Sequence, residues 1–128
     1  MQRTALIARL LLSLLGLALI ILGVLFWTGH ALSLIQLHML LGVLFVVCLW
    51  VLIALAFFAR AGRGLALIVL VWSLIVGALG MAQLRVLPGS LHWVIQSIHL
   101  VVGLVAIGLG HALARAMRRG PTAARAAS

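Results

Sequence analysis

Hydrophobic residues along this chain fall into four long runs separated by short polar breaks. Ala5 to Thr28, Leu34 to Ala59, Leu65 to Leu87 and Leu91 to Ala114 each reach the roughly 20 largely apolar residues that a helix needs to cross the hydrocarbon core of a bilayer. The breaks, Gly29 to Ser33, Arg60 to Gly64 and Pro88 to Ser90, carry the Gly, Ser, Pro and Arg residues of turns. Connections this short make consecutive helices antiparallel neighbours. The pattern therefore predicts an all-α fold, an integral membrane antiparallel four-helix bundle of up-down-up-down topology. A single transmembrane domain covers residues 1–114, and residues 115–128, with Gly120, Pro121 and a run of Ala and Arg, form a basic cytoplasmic tail.

Composition strengthens this reading and closes off others. Of the 128 residues 67% are hydrophobic, and all nine charged side chains are arginine, a balance foreign to soluble domains. A strongly basic soluble protein would suggest nucleic acid. Here the arginines lie at the ends of apolar runs, where they orient a chain in a membrane, and no nucleic-acid partner is expected. With a cytoplasmic N-terminus, Arg3, Arg9, Arg60, Arg63, Arg115, Arg118, Arg119 and Arg125 share one side and Arg85 stands alone on the other. That asymmetry predicts a multi-pass protein of the bacterial inner membrane with both termini cytoplasmic. Trp27 and Trp93 fall at the outer boundary as interfacial anchors, while Trp50 and Trp72 lie deeper as packing residues. A cleaved signal peptide ending near Gly29-His30-Ala31 is the competing reading of the first run. Its apolar stretch, Leu10 to Phe26, is longer than the usual h-region of about 7 to 15 residues.

The candidate chemistry begins with two histidines inside apolar runs. His38 and His99 are each followed four residues later by glycine, Gly42 and Gly103. A buried imidazole in a membrane segment ordinarily has a partner, and with no Asp or Glu in the chain that partner is not a carboxylate. At i and i+4 each histidine shares a helix face with its glycine, so each ring stands beside a position with no side chain. Gly23 in the first helix and Gly77 and Gly80 in the third lie at comparable depth, leaving room for a broad, flat cofactor on all four walls. Small residues that let helices pack closely are the alternative reading of each glycine.

The second and fourth helices run in the same direction and occupy opposite corners of a four-helix square. His38 and His99 then differ in depth by only about 6 Å. The diagonal between their helices is roughly 13 Å for axes 8 to 10 Å apart. Gly29, Ile35 and Gln36 match Gly89, Ile95 and Gln96 at an offset of 60, and Gly16, His38 and Gly42 match Gly77, His99 and Gly103 at an offset of 61. These matches suggest a parallel two-helix repeat.

Four antiparallel membrane helices with one histidine on the second, one on the fourth and His-x-x-x-Gly at both resemble the four-helix b-type cytochrome bundles: the cytochrome b561 family and one half of heme A synthase. The resemblance spans the four-helix core. It implies one heme b per chain, its iron held axially by His38 and His99, and electron transfer to or from a quinone or a periplasmic redox partner. The chain departs from both families. It lacks the acidic residue of the heme A synthase pattern, which argues against that activity. It also lacks a second histidine pair for the second heme of many cytochrome b561 members: His111 lies about 18 Å deeper than His99, and Trp50 stands at the matching level of the second helix.

His30 and His92 sit about 11 Å further out than the first pair. With Arg85 they can offer hydrogen bonds or positive charge to heme propionates, or they are solvated loop residues; two histidines alone make a poor site for a small metal. Gln36, Gln83 and Gln96 read first as interhelical hydrogen-bonding amides, with Gln96, three residues before His99, a lesser candidate for orienting an imidazole or meeting a quinone headgroup. No carboxylate means no acid/base pair, no proton relay and no acidic drug-transport site. No serine or Cys48 has a supported base, so hydrolysis is not expected. Two function classes remain: a bis-histidine electron carrier, and a cofactor-free structural or accessory subunit of a larger complex, docking through its glycine faces or as a homo-oligomer.

Overall fold

The structure, a computed structural model, describes Gln2 to Gln83, Arg85, Val86 and Pro88 to Arg119. It contains four long helices: α1 (Gln2–Trp27), α2 (Ile35–Phe58), α3 (Arg63–Ala82) and α4 (His92–Arg119). Single 3-10 turns, Leu32–Leu34 and Gly89–Leu91, lead into α2 and α4. No strand occurs among the described residues. All four helices are long and apolar enough to cross a membrane.

The helix ends have local causes. After α1, Gly29 takes φ +78°, its N–H donates to Phe26 O, and His30 N–H donates back to Leu25 O. These paired bonds satisfy carbonyls that the helix end would leave bare. Past α2 the same closure recurs with Arg60 at φ +52°, where Arg60 N–H donates to Phe57 O and Ala61 N–H to Ala56 O.

Two boundaries differ from the sequence reading. The third helix stops at Ala82 rather than 87, and the N–H groups of Arg85 and Val86 fold back onto Ala82 O. Pro88 bars the helix from running on through it: it has no N–H to donate, it biases the residue before it away from helix, and its ring would clash with the carbonyl four residues earlier. The fourth helix runs past 114 to Arg119, so the first residues assigned to the tail are helical. Arg115, Ala116, Met117 and Arg118 are all strong helix formers, and nothing breaks the run before Gly120. Residues 120–128 lie outside the described residues.

Each helix packs on the next in sequence, and α4 closes against α1. Numbers fall on one helix as they rise on its neighbour: Gly16 of α1 meets Phe45, and Gly23 faces His38, while Gly16 also meets Ile107 and Gly110 of α4 faces Leu12. The arrangement is not a regular square. The α2 and α4 backbones also approach one another across the bundle within 8 Å, which the α1 and α3 pair does far less. The expected diagonal of roughly 13 Å is thus shortened over part of its length, where Gly110 of α4 faces Leu49 of α2.

The core is uneven along the bundle. Leu12, Leu49, Leu52, Val69, Ser73 and Leu113 are fully buried, and all belong to the half that ends at the α2–α3 turn. Where this half meets the other, two tryptophans tie helices together: Trp50 Nε1 donates to Ser73 Oγ at 3.0 Å, joining α2 to α3, and Trp72 Nε1 donates to Val102 O at 2.9 Å, joining α3 to α4. The outside of the bundle is apolar all round, with Leu14, Leu17, Val43, Val71 and Val101 exposed.

Candidate functional site

Where the other half of the bundle would have its core, there is a cavity of about 790 Å³. All four helices contribute to its wall, including Gly23 from α1, His38 and Gly42 from α2, Gly77 and Gly80 from α3, and His99 and Gly103 from α4. The volume falls in the range of about 300 to 1,000 Å³ usual for sites that hold a small-molecule ligand or cofactor. The remaining wall is nearly all aliphatic and aromatic.

The five glycines divide into two kinds. At Gly42, Gly77 and Gly103 a Cβ would meet nothing within 4 Å, so their missing side chains are open space in the cavity. Gly23 and Gly80 instead make room for the imidazoles: a Cβ at Gly80 would lie 3.3 Å from His99 Cε1, and one at Gly23 would lie 3.9 Å from His38 Cε1. Each histidine is therefore accommodated by a glycine on the preceding helix, α1 for His38 and α3 for His99. This is a two-fold echo between the helix pairs. Gly16 and Gly77, which match in sequence, do not share a role: a Cβ at Gly16 would be 2.8 Å from Ile107 Cδ1, a tight packing contact.

The two imidazoles face one another. Their ring centres are 6.5 Å apart with the planes inclined at 57°. Two imidazoles that share one metal ion, at nitrogen–metal distances of about 2.0–2.1 Å, need ring centres roughly 6 to 6.5 Å apart when their nitrogens point at each other. A tilt of the planes is compatible with such sharing where it is a rotation about the nitrogen–metal–nitrogen line. In both rings Nδ1 is buried without a hydrogen-bond partner. An unpaired buried polar atom of this kind costs about 1 to 3 kcal/mol.

Phe26 holds His38 from the far side, edge-on at 5.4 Å between ring centres and 66° between planes. The sequence reading passed over Phe26. Its signal was the spacing to Gly23, three residues earlier and hence on the same face of α1.

The other predicted site residues divide by position. His92, Gln83 and Gln96 line the cavity at the end nearest the 3-10 turns and form its small polar share. His30 and Arg85 are exposed at the same end and do not contribute to the wall, and His30 Nδ1 lies 3.1 Å from Thr28 Oγ1. Gln36 is exposed and also lies off the wall. His111 is remote from the cavity, with its Nε2 3.3 Å from Ser13 Oγ.

Heme b fits what these residues offer. Among the described residues no three His, Cys, Asp or Glu side chains gather to hold a metal ion. A donor set of two opposed imidazoles and no third side chain suits a metal whose remaining positions are filled by its own planar ligand, as in heme. Broad open space beside both rings, at Gly42, Gly77 and Gly103, is what such a plane requires. One departure stands beside this fit. A metal-bound histidine ordinarily donates its other ring N–H to a carbonyl or carboxylate, and here neither Nδ1 has that support.

Comparison of the chain with protein-family models, with curated proteins and with solved structures found no match to any of them.

Proposed function

We propose that this protein is a membrane-embedded b-type cytochrome, an antiparallel bundle that holds one heme b between His38 and His99 and passes electrons through it. The observation that carries the proposal is the pair of facing imidazoles, 6.5 Å apart across an apolar cavity that glycines keep open. The apolar exterior of all four helices supports insertion in a bilayer, and the arginine asymmetry supports a bacterial inner membrane with both termini cytoplasmic.

In this reading His38 and His99 would hold the heme, and bound there it would supply one-electron redox chemistry, with its potential set by its ligands and by burial. No carboxylate in the chain can serve as an acid or base, so the activity is transfer of electrons and not hydrolysis. Phe26 restricts the His38 ring on its outer side, and the aliphatic wall keeps water from the space between the imidazoles. The redox partner, a quinone or a periplasmic protein, approaches at the end with His92, Gln83 and Gln96, where the wall offers hydrogen bonds.

A reduced-minus-oxidised absorption spectrum of the full chain, purified from cells supplied with heme, tests the proposal. A sharp visible band on reduction is expected. A colourless protein would overturn it and leave a cofactor-free subunit as the reading.

A further inference from the structure

At the end of the bundle away from the cavity, α1 and α4 do not close completely. A cleft of about 350 Å³ remains between the early turns of α1 and the last turns of α4, lined by Ala5, Leu6, Arg9, Ala114 and Arg118. Two arginines thus border one small space while two alanines keep it open. Two guanidinium groups sharing a cleft repel each other, and in a chain with no Asp or Glu no side chain can neutralise them. The charge around them is of one sign, with Arg115 exposed on the same turns of α4.

The neighbouring polar atoms are committed elsewhere. Ser13 Oγ donates its one proton to Arg9 O at 3.0 Å, so its 3.3 Å contact with His111 is the ring N–H donating to the hydroxyl oxygen. This bond ties α1 to α4, and among the described residues neither guanidinium has a hydrogen-bond partner.

Helix length gives the depth. With 26 residues in α1 and 28 in α4, these helices are about 39 and 42 Å long, against a hydrocarbon core of about 30 Å. The surplus places their outermost turns, Arg118 among them, at the lipid headgroups, and Arg9, about 10 Å in from the start of α1, reaches toward them with its long side chain. Leu6, on the cleft wall, is 52% exposed and so offers an apolar flank beside the two charges.

We propose that this cleft binds the phosphate of an anionic lipid headgroup, with Arg9 and Arg118 as the anion-binding side chains and Leu6 against the start of an acyl chain. Basic pockets between membrane helices suit such headgroups, and arginine matches phosphate with paired hydrogen bonds. The inference rests on the membrane reading above but not on the heme, and lipid binding is measured whether or not the protein is coloured.

Native mass spectrometry of the full chain, released from micelles doped with phosphatidylglycerol, phosphatidylcholine or inorganic phosphate, is the test. Phosphatidylglycerol should bind saturably, one per chain, and in preference to phosphatidylcholine. The R9Q/R118Q variant should bind it roughly 30-fold more weakly, at about fivefold for each basic side chain near a charged surface. R118Q alone, on an exposed side chain, should show about a fivefold loss and carries the test if the double variant loses helix content. R60Q, at the same end but off the cleft, should bind as the parent does. Equal retention of phosphatidylcholine, displacement of phosphatidylglycerol by millimolar inorganic phosphate, or an equal loss in R60Q would overturn the proposal.

Discussion

The two halves of this bundle are made from the same residue types and do opposite things with them. In the half near the α2–α3 turn, Gly110 is a tight contact: a Cβ there would stand 2.5 Å from Leu12 Cδ2 and 2.8 Å from Leu49 Cδ2, and both of those leucines are fully buried. In the other half, Gly42, Gly77 and Gly103 touch nothing within 4 Å, and the space they leave joins a cavity of about 790 Å³. Inside lipid no hydrophobic driving force favours helix association, so close van der Waals packing and interhelical hydrogen bonds must hold the helices together. The packed half supplies the first through its leucines, and the Trp50 and Trp72 hydrogen bonds supply the second where the two halves meet. The hollow half is then free to carry the unpartnered Nδ1 atoms and the empty volume that a cofactor site needs.

Substitutions that treat the halves differently test this division. Gly110→Leu should have the largest effect on stability, above the 1 to 3 kcal/mol typical of overpacking, because both neighbours are fully buried and have nowhere to move. Thermal unfolding in detergent should show it as a large drop in Tm or as loss of folded protein. Gly42→Leu with Gly103→Leu should do the reverse, leaving stability within about 1 kcal/mol of the parent, since glycine in a helix is replaced, while heme loading falls at least tenfold. If that pair unfolds the protein, the hollow half is part of the scaffold after all.

Smaller effects separate the two imidazole-facing glycines. Gly80→Ala brings a Cβ to 3.3 Å from His99 and should weaken heme retention several-fold by shifting the ring by a few tenths of an ångström. Gly23→Ala, at 3.9 Å from His38, makes an ordinary contact and should leave retention unchanged. Equal behaviour of the two variants in a heme-transfer assay would mean that neither glycine positions a ring. The smallest change is expected from Ser73→Ala, which removes the acceptor of the Trp50 indole and should cost about 1 kcal/mol. Its heme content should match the parent, because Ser73 belongs to the packed half.

The four helices were legible because hydrophobic run length and turn residues are local signals. The end of α3 falls short of the apolar run: Pro88 bars helix beyond it, and the turn of Arg85 and Val86 onto Ala82 O closes the helix earlier. The pairing of His38 with His99 was legible from depth alone. Sequence spacing did not show that α2 and α4 draw together, because a helical period fixes which face a residue occupies and not how far a bundle departs from a square. For the same reason Gly23, Gly80, Gly42, Gly77 and Gly103 read alike in sequence, although two face imidazoles and three face open space. Phe26 was visible only as one more aromatic at a helix end, and its edge-on contact with His38 depends on how α1 and α2 are rotated. The Arg9 and Arg118 cleft was hidden by the bulk asymmetry of arginines, which orients the chain without saying which of them converge.

The central claim is that His38 and His99 together hold one heme. Its most direct test is to add heme b stoichiometrically to the purified chain and to the His38→Ala and His99→Ala variants, following the bound amount and the spin state of the ferric form. The parent should saturate at one heme per chain in a low-spin, bis-histidine state, and both variants should lose either the heme or that spin state. Failure of the parent to take up heme, or a low-spin signal that survives in either variant, would contradict the account.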